Sequence, residues 1–511
     1  MISEDVYWFL DEMDLLPEEQ KGARKGSRGT HGLVFIDKMI LQSARNGKMN
    51  LFMAWIDYRK AYDMLPHSWI KECLDWFGVA SNVKNLLFKS MEQWRTELHA
   101  MSTPIGKSRS IECAKLVVRR RKVSEAEGIK LPDGRERRNL EEGTSYKYLG
   151  ILEAGEFQRG KMKKNLTKEY LGRVRKLLQS KLDGRHLISG IIKTWAVSAM
   201  KYSASFISWT QEELGVLDRR TRKYLNMYNA LHLRESVARL YLRRKIGGRG
   251  LIPIADCVDQ ASIGLANYTA ESNERLLTAA RRGTSTRQED SKEFKKRKRE
   301  ERMKEVREKQ LHGQFLREMD GIASDKSWEW LEKGHLKRHT EGLIMAPQSQ
   351  SVRANAIKAK NEKSQDDSRC RLCKKTDETV NHLLSECPKL AQSEYKRRHD
   401  NITKGIHWDI CKQLGMECGD KWYNHNLEPV TENEDRKILW DLTIQTDKRL
   451  PHNRPDIVVI DKAKKECHII DVACPGDSRI ALKEEEKIDR YRDLAIEIEA
   501  SWRLKKVLIV P

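Results

Sequence analysis

The sequence predicts an α+β protein of several domains, and three observations support this fold class. The chain has 511 residues, which is about three or four times the length of a common domain. Apolar runs rich in β-branched residues occur between long stretches of helical spacing, so both strands and helices are expected. Three cysteines and a histidine cluster within residues 370–387, which predicts a small metal-binding module.

The charge of the chain indicates its partners. There are 97 Lys and Arg against 75 Asp and Glu, which gives a net charge of +22. This excess favours DNA or RNA as the partner, although a basic protein without such a partner has the same composition. No apolar run approaches the ~18 residues that span a bilayer, so no membrane is expected. Ten cysteines, mostly scattered, favour a reducing compartment, the nucleus or the cytoplasm.

The first candidate site follows an apolar run that begins at Leu51. The run predicts a buried strand that ends at Asp57, and a helical pattern continues from there to Pro66. A carboxylate at such a junction can hold a metal ion in a cleft, and it can equally cap the helix.

A basic loop with three glycines, residues 20–30, precedes this strand. Glycines let the backbone approach a ligand, and Arg24, Lys25 and Arg28 suit phosphate contacts, although a flexible basic loop has the same pattern. The loop resembles the fingers motif of reverse transcriptases from non-LTR retrotransposons, and residues 56–63 (IDYRKAYD) resemble their first catalytic-aspartate motif. The resemblance implies that the aspartate at the strand end is one of three carboxylates holding two Mg²⁺ ions in an RNA-directed DNA polymerase.

The other two carboxylates of such a polymerase are missing from the sequence. Residues 111–117 and 146–151 resemble the family's rear palm strand and primer grip, but only residues 101–110 lie where the paired aspartates belong. The one Asp–Asp pair, residues 366–367, lies in a polar segment far along the chain. One carboxylate cannot hold two ions about 4 Å apart, so we expect an inactive polymerase. The alternative is a gene model that lost an exon of an active enzyme, whose substrates would be dNTPs.

Residues 156–275 have a helical and basic pattern, for example over 166–182 and 210–227. A glycine-rich turn in this region resembles a loop of the retrotransposon segment that corresponds to a polymerase thumb. The turn is expected to display four cations: Arg243, Arg244, Lys245 and Arg249.

Residues 276–365 are expected to form a basic helical linker. Residues 291–309 are rich in Lys, Arg and Glu, which predicts either a solvated helix between domains or an arm that contacts nucleic acid. Within them, residues 295–299 (KKRKR) match a nuclear-localisation patch. The composition of residues 346–367, rich in Gln, Ser, Asn and Lys, predicts a linker.

The strongest metal signal is the spacing C-x2-C-x8-H-x4-C. Three thiolates and an imidazole at this spacing can close a tetrahedral zinc site, which would fold the module and leave no open position for catalysis. The four candidate ligands are Cys370, Cys373, His382 and Cys387. The other seven cysteines are scattered, and they are expected to be buried and inert.

The last candidate site is a hairpin of two apolar strands around a turn at residues 461–465. Asp456 begins the first strand and Asp471 ends the second, so an antiparallel pairing brings the two carboxylates side by side. Ser478 can cap a long helix that runs to about Arg503. One face of this helix carries two lysines at i, i+4: Lys483 and Lys487. Two carboxylates and a lysine can bind Mg²⁺ and position a water for phosphodiester hydrolysis, although an ordinary hairpin can also have polar ends.

This hairpin and helix resemble the restriction-like (PD-D/E-K type) endonuclease at the C-terminus of some non-LTR retrotransposons, where a zinc knuckle also precedes the nuclease. The usual restriction fold places its lysine two residues after the second acid, but that position is Ala473. The resemblance implies a lysine from the following helix, with Lys487 preferred over Lys483. Arg454 and Tyr491 are expected to orient the site or contact DNA.

The resemblance is collinear over nearly the whole chain. It implies truncated fingers and palm (1–155), a helical thumb (156–275), a basic linker (276–365), a CCHC zinc knuckle (366–394) and a restriction-like α/β nuclease (395–511). We expect a nuclear transposable-element product that binds DNA and RNA, lacks polymerase activity and retains Mg²⁺-dependent DNA nicking. The alternative is a non-catalytic remnant that only binds nucleic acid.

Overall fold

The computed structural model describes residues 2–13, 15, 25, 27–58, 67–92, 111–119, 122–123, 129–130, 136–137, 145–153, 157–281, 289–320 and 324–511. The described chain has a mixed α+β structure, which confirms the fold class expected from the sequence. It divides into two compact units. Unit 1 is Met1–Ala230, Arg249–Glu301 and His335–Arg338, and unit 2 is Leu231–Gly248, Arg302–Gly334 and His339–Pro511.

Helices make up most of the described chain. The α-helices are α1 (Ile2–Glu12), α2 (Thr30–Asn46), α3 (His67–Trp76), α4 (Ser81–Glu92), α5 (Arg159–Gln179), α6 (Ser198–Ser203), α7 (Gln211–Met227), α8 (Val237–Leu240), α9 (Ile254–Glu271), α10 (Arg275–Arg281), α11 (Ser291–Glu308), α12 (Gln314–Glu318), α13 (Ser324–Ser327), α14 (Glu329–Glu332), α15 (Arg338–Gln348), α16 (Asn355–Ile357), α17 (Pro388–Leu390), α18 (Lys396–Gln413) and α19 (Ile480–Ser501). Segments of π-helix are Arg185–Ala196, Lys358–Glu362, His382–Glu386 and Ala391–Tyr395, and 3-10 turns are Arg244–Ile246, Trp422–Asn424 and Asp477–Arg479. No helix in the ranges given above is long and apolar enough to cross a membrane.

The strands form small sheets. They are β1 (Leu51–Tyr58), β2 (Ile111–Arg119), β3 (Lys122–Val123), β4 (Ile129–Lys130), β5 (Glu136–Arg137), β6 (Tyr146–Tyr148), β7 (Ile151–Glu153), β8 (Val430–Glu432), β9 (Arg436–Trp440), β10 (Ile457–Asp461), β11 (Glu466–Ile470) and β12 (Lys506–Val510). In unit 1, β1, β2 and β3 form one antiparallel sheet, and β4–β5 and β6–β7 are separate hairpins.

The helical part of unit 1 packs around α5, α7 and α9. The helix α5 buries an apolar stripe at helical spacing, and Tyr170 within it hydrogen-bonds to Thr221 of α7 at 2.9 Å. The start of α7 is fixed by a capping box, in which Thr210 and Glu213 each bond to the other's backbone N–H. The helix predicted over 210–227 is therefore confirmed, while the one predicted over 166–182 begins earlier and ends at Gln179.

A five-stranded sheet in the order β12-β11-β10-β9-β8 is the centre of the C-terminal part of unit 2. The strands β11 and β12 are parallel, and the other neighbours are antiparallel. Side chains alternate between its two faces, as a pleated strand requires. Leu439 and Val458 pack with Leu494 of α19, whereas Ile438 and Ile457 pack with Cys411 of α18. The sheet therefore lies between two helices.

In the segment expected to be a linker, residues 346–367, α15 extends to Gln348 and helical turns follow from Asn355 to Glu362. Their polar residues are partly internal; Ser351 is buried and its hydroxyl donates to the Ala346 carbonyl at 2.9 Å. Ser478 does not cap α19, since it lies inside the preceding 3-10 turn and Arg479 occupies the N-cap position.

Candidate active site and metal centre

The two carboxylates of the C-terminal hairpin lie side by side. Asp456 directly precedes β10 and Asp471 directly follows β11, and the adjoining residues, Ile457 and Ile470, are register partners. The backbone N–H of Val472 donates to Asp456 Oδ2 at 2.7 Å, which links the end of one strand to the carboxylate of the other. Both side chains are shielded from solvent, since Asp471 is 6% exposed and Asp456 is 19% exposed.

Helix α19 supplies a lysine and a tyrosine to these carboxylates. Lys487 Nζ contacts Asp471 Oδ2, and the Tyr491 hydroxyl, one turn later, donates to Asp471 Oδ1 at 3.1 Å. Lys483, one turn earlier on the same helix, pairs with Glu486. Of the two lysines considered from the sequence, the structure thus brings Lys487 to the acids.

Arg454 lies at the edge of this cluster. Its guanidinium forms a two-bond pair with the Asp441 carboxylate, with N–O distances of 2.9 and 2.8 Å. Its backbone carbonyl accepts a hydrogen bond from the Tyr491 hydroxyl at 3.3 Å. Arg454 therefore supports Tyr491 through its main chain, and its side chain remains 58% exposed.

A histidine that the sequence analysis did not identify completes the cluster. His399 lies in the first turn of α18, and its Nε2 is 3.2 Å from Asp456 Oδ2. Its Nδ1 is 3.1 Å from the Asp400 carboxylate. The sequence carries no spacing that links residue 399 to the hairpin, because the contact depends on how α18 packs against the sheet.

The charges in this cluster influence one another. Burial, together with the negative charge of Asp471, raises the pKa of Asp456 above its ordinary value despite the N–H of Val472. Burial alone would lower the pKa of His399, but its hydrogen bond to Asp400 and the charge of Asp456 outweigh that effect and raise it. Burial and the nearby Asp471 also raise the pKa of the Tyr491 hydroxyl. The cluster therefore gathers negative charge at one end of the hairpin.

The candidate zinc ligands converge as the sequence predicted. Cys370, Cys373, His382 and Cys387 place one ligand atom each within 4.8 Å of all the others, so the group could hold a metal such as zinc. The Cys370 and Cys387 sulfurs are 4.0 Å apart, and Cys373 Sγ is 3.4 Å from His382 Nε2. A tight turn produces this approach, because the Cys370 N–H donates to the Thr376 carbonyl at 2.8 Å.

Neighbouring groups orient these ligands. Thr376 Oγ1 lies 3.1 Å from His382 Nδ1, which leaves Nε2 to face the sulfurs. The backbone N–H of Lys375 lowers the pKa of Cys373 to about 6, which favours the thiolate that binds metals. The Tyr395 hydroxyl lies 2.9 Å from the His382 carbonyl and 3.0 Å from the Cys387 N–H, so it ties the second half of the ligand set together.

The glycine-rich turn does not display all four of its predicted cations. Arg243 and Lys245 are exposed. Arg244 is buried and its guanidinium pairs with the buried Glu341, with one N–O distance of 2.9 Å. Arg249 is fully buried and donates to the Ala230 carbonyl. The turn uses these two arginines inside the protein, so the prediction that they face nucleic acid is corrected.

Of the basic loop near the N-terminus, Lys25 and Arg28 lie among the described residues and Arg24 lies outside them. Lys25 Nζ is 4.8 Å from the centre of the Trp8 ring, and the Arg28 guanidinium is 5.4 Å from the centre of the Tyr268 ring. Both residues are exposed overall, but Lys25 Nζ lies 3.9 Å from the Glu4 carboxylate and burial lowers the pKa of the Arg28 guanidinium.

A basic groove between α5 and α7 was not singled out from the sequence. It encloses about 630 Å³, and exposed cations on both helices line it: Lys164, Lys168, Arg175 and Arg220. Trp209 and Tyr224 also line the groove. A row of cations beside aromatic rings is suited to a nucleic-acid backbone. The sequence shows the cations but does not show which of them share a groove.

Asp57 lies in β1, and the antiparallel register places it opposite Glu112 of β2. Its side chain lies outside the described part of the structure.

No protein-family model matches this chain, and no curated protein matches it in sequence. The function of both candidate centres must therefore be argued from their geometry.

Proposed function

We propose that this chain is a retrotransposon-type polyprotein fragment that binds nucleic acid and nicks DNA at the cluster of Asp456, Asp471 and Lys487. The observation that supports the nicking most is the convergence of two carboxylates and a lysine at one end of a hairpin, with the lysine supplied by the following helix. The proposal includes the domain order expected from the sequence, which is fingers, palm, thumb, zinc knuckle and nuclease. Polymerase activity is expected to be lost together with the paired aspartates.

The acids of the cluster fit a divalent cation such as Mg²⁺. Asp456 and Asp471 lie close enough that the charge of one, with burial, raises the pKa of the other, so a cation between them would relieve repulsion. Carboxylate oxygens are the ligands that hard cations prefer. When bound, Mg²⁺ would stabilise negative charge on a phosphate and lower the pKa of a bound water.

The surrounding residues have distinct roles in this proposal. Lys487 places a positive charge beside Asp471, where it can stabilise charge that develops on a phosphate oxygen. Tyr491 holds Asp471 from the other side through its hydroxyl. His399 holds Asp456 and carries a proton more readily than an ordinary histidine, so it links the protonation of the site to pH near neutrality.

The test is nicking of supercoiled plasmid by the full chain with Mg²⁺. We expect cleavage by the wild type and none by Asp456→Ala or Asp471→Ala, because each variant removes an oxygen ligand from the cation. Asp461→Ala is the matched control, since Asp461 ends the same strand β10 at its opposite end and interacts with Arg436. No cleavage by the wild type, with salt-sensitive DNA binding intact, would identify a non-catalytic remnant instead.

Nucleic-acid binding is tested separately at the groove between α5 and α7. We expect Lys164→Glu with Lys168→Glu to weaken DNA binding and to reduce the dependence of affinity on salt by about two released ions, measured by fluorescence anisotropy at several salt concentrations. The control with the same change in charge is Lys295→Glu with Lys296→Glu, on the exposed face of α11. A larger loss from the α11 pair would assign binding to that arm.

A further inference from the structure

Two histidines and a cysteine are buried together at a second place in the C-terminal part of the chain. His407 and Cys411 lie at i, i+4 on one face of α18, and His425 follows the 3-10 turn Trp422–Asn424. His407 and Cys411 are fully buried and His425 is 4% exposed. In the sequence Cys411 is one of the scattered cysteines expected to be inert, because only the folded chain brings His407 and His425 to it.

The three potential ligand atoms point at one another. His407 Nδ1 is 2.9 Å from His425 Nε2 and 3.6 Å from Cys411 Sγ, and all three atoms lie within 4.8 Å of each other. Bond lengths of about 2.0–2.3 Å at a tetrahedral zinc ion separate its ligand atoms by roughly 3.3–3.7 Å. The sulfur–nitrogen distance already fits, and the two rings need to separate by only a few tenths of an ångström.

Hydrogen bonds alone account poorly for this cluster. If the Gly419 N–H donates to His425 Nδ1, at the long distance of 3.4 Å, then His425 Nε2–H must donate to His407 Nδ1. The proton of His407 then lies on Nε2, which is buried and has no hydrogen-bond partner in the part of the chain that the structure describes. An ion bound at His407 Nδ1 leaves that Nε2–H unchanged, so the case for a ligand is the convergence itself: three buried polar side chains share one short hydrogen bond, an arrangement that folding disfavours.

We propose that His407, Cys411 and His425 form a second zinc site, distinct from the Cys370–Cys387 module. Imidazole nitrogens with a thiolate are a ligand set that zinc prefers. Binding through His425 Nε2 places the proton on Nδ1, so the long contact with the Gly419 N–H is given up. The ion would fasten α18 to the segment that leads into β8, which is a structural role.

Cys418 is the candidate for a fourth ligand. It is partly exposed and packs against the same apolar cluster as Cys411. The next residue, Gly419, lies so close to His425 that an added Cβ would be 3.1 Å from its Cα. This close approach keeps Cys418 near the cluster, but its sulfur is outside the group of three ligand atoms, so its side chain would have to shift to complete a tetrahedral set.

The test measures zinc in the purified full chain after dialysis against metal-free buffer. We expect two equivalents in the wild type, one in Cys411→Ser, one in Cys373→Ser and none in the double variant. Cys467→Ser is the matched control, because Cys467 is buried in the same part of the chain within an apolar cluster, and it should retain two. One equivalent in the wild type, or two in a folded Cys411→Ser, would overturn the proposal.

If Cys411→Ser fails to fold, Co²⁺ binding to the Cys373→Ser protein is measured instead. The Cys373→Ser protein keeps the proposed site intact while the first module is disabled, so Co²⁺ alone is added to it. We expect the visible bands of tetrahedral cobalt with a thiolate-to-cobalt absorption near the ultraviolet, in one equivalent. No such absorption from a folded Cys373→Ser protein would overturn the second site.

Discussion

The chain has two places where an aspartate lies at or next to the end of an apolar strand, and their surroundings differ. Asp456 precedes β10, and the fold brings it Asp471, Lys487 and His399 from β11, α19 and α18. Asp57 lies near the end of β1, and the register of the described strands places Glu112 of β2 opposite it. A catalytic role is expected for both aspartates from the resemblance of their sequence surroundings.

The difference shows what turns a strand-end carboxylate into a candidate centre. At β10 the chain returns at once as β11 and then covers the sheet with α19, so chemically complementary side chains meet at one edge. At β1 residues 101–110, where the proposal expects the other acids of a polymerase, contain no aspartate. The two places therefore differ mainly in which side chains the following thirty residues bring to the aspartate. The aspartate motif itself differs less.

The largest expected effect distinguishes the two lysines of α19. Lys487→Ala removes the positive charge beside Asp471, so we expect the single-turnover rate of plasmid nicking to fall by about 10²–10³-fold, as for loss of one donor to a transition state. The matched control is Lys483→Ala, one turn away and paired with Glu486, which should change the rate little. An equal loss in both variants would show that α19 contributes general charge only.

Several features of this centre follow from the sequence alone. Two apolar runs, residues 457–460 and 467–470, around a short turn predict an antiparallel hairpin, and the observed register places Asp456 next to Asp471. The spacing of the metal module is equally local, since its four ligands lie within eighteen residues and converge through one tight turn. Local pattern is sufficient wherever the partners are close in sequence.

Features that depend on distant packing were not predictable in this way. Arg244 and Arg249 look like surface cations in the sequence, but a partner almost a hundred residues away, Glu341, and a backbone carbonyl hold them inside. His399 reaches Asp456 only because α18 lies against the sheet. A single sequence shows which residues can ionise, but it does not show which of them become buried in the folded protein.

An intermediate effect concerns the stability of the two regions. We expect limited proteolysis to cut within residues 1–155 about tenfold faster than within residues 395–511, which corresponds to roughly 1.4 kcal/mol less free energy for local opening. The reason is that, under the proposed function, residues 1–155 are a palm without its central strands, which would leave sheet edges and apolar surface in water; Phe52 of β1 is 61% exposed. Mass spectrometry of the early fragments measures this, and uniform resistance would contradict it.

The smallest expected effect is a change in the pH dependence of nicking in His399→Gln. The charge of His399 lowers the pKa of Asp456, which burial and Asp471 raise, so removing that charge raises the Asp456 pKa further. More Asp456 is then protonated at acid pH, and the acid limb of the rate profile moves to higher pH; a shift of half a unit corresponds to about a threefold slower rate on that limb.

The measurement uses a low Mg²⁺ concentration, so that protons and the cation compete for Asp456. Above the pKa of His399 the wild-type histidine is neutral, and the two profiles should converge there. His452→Gln is the control, because His452 lies in the loop before β10 and is exposed. Superimposable profiles for wild type and His399→Gln would restrict the working centre to the hairpin and α19, and the contact from α18 would then be structural only.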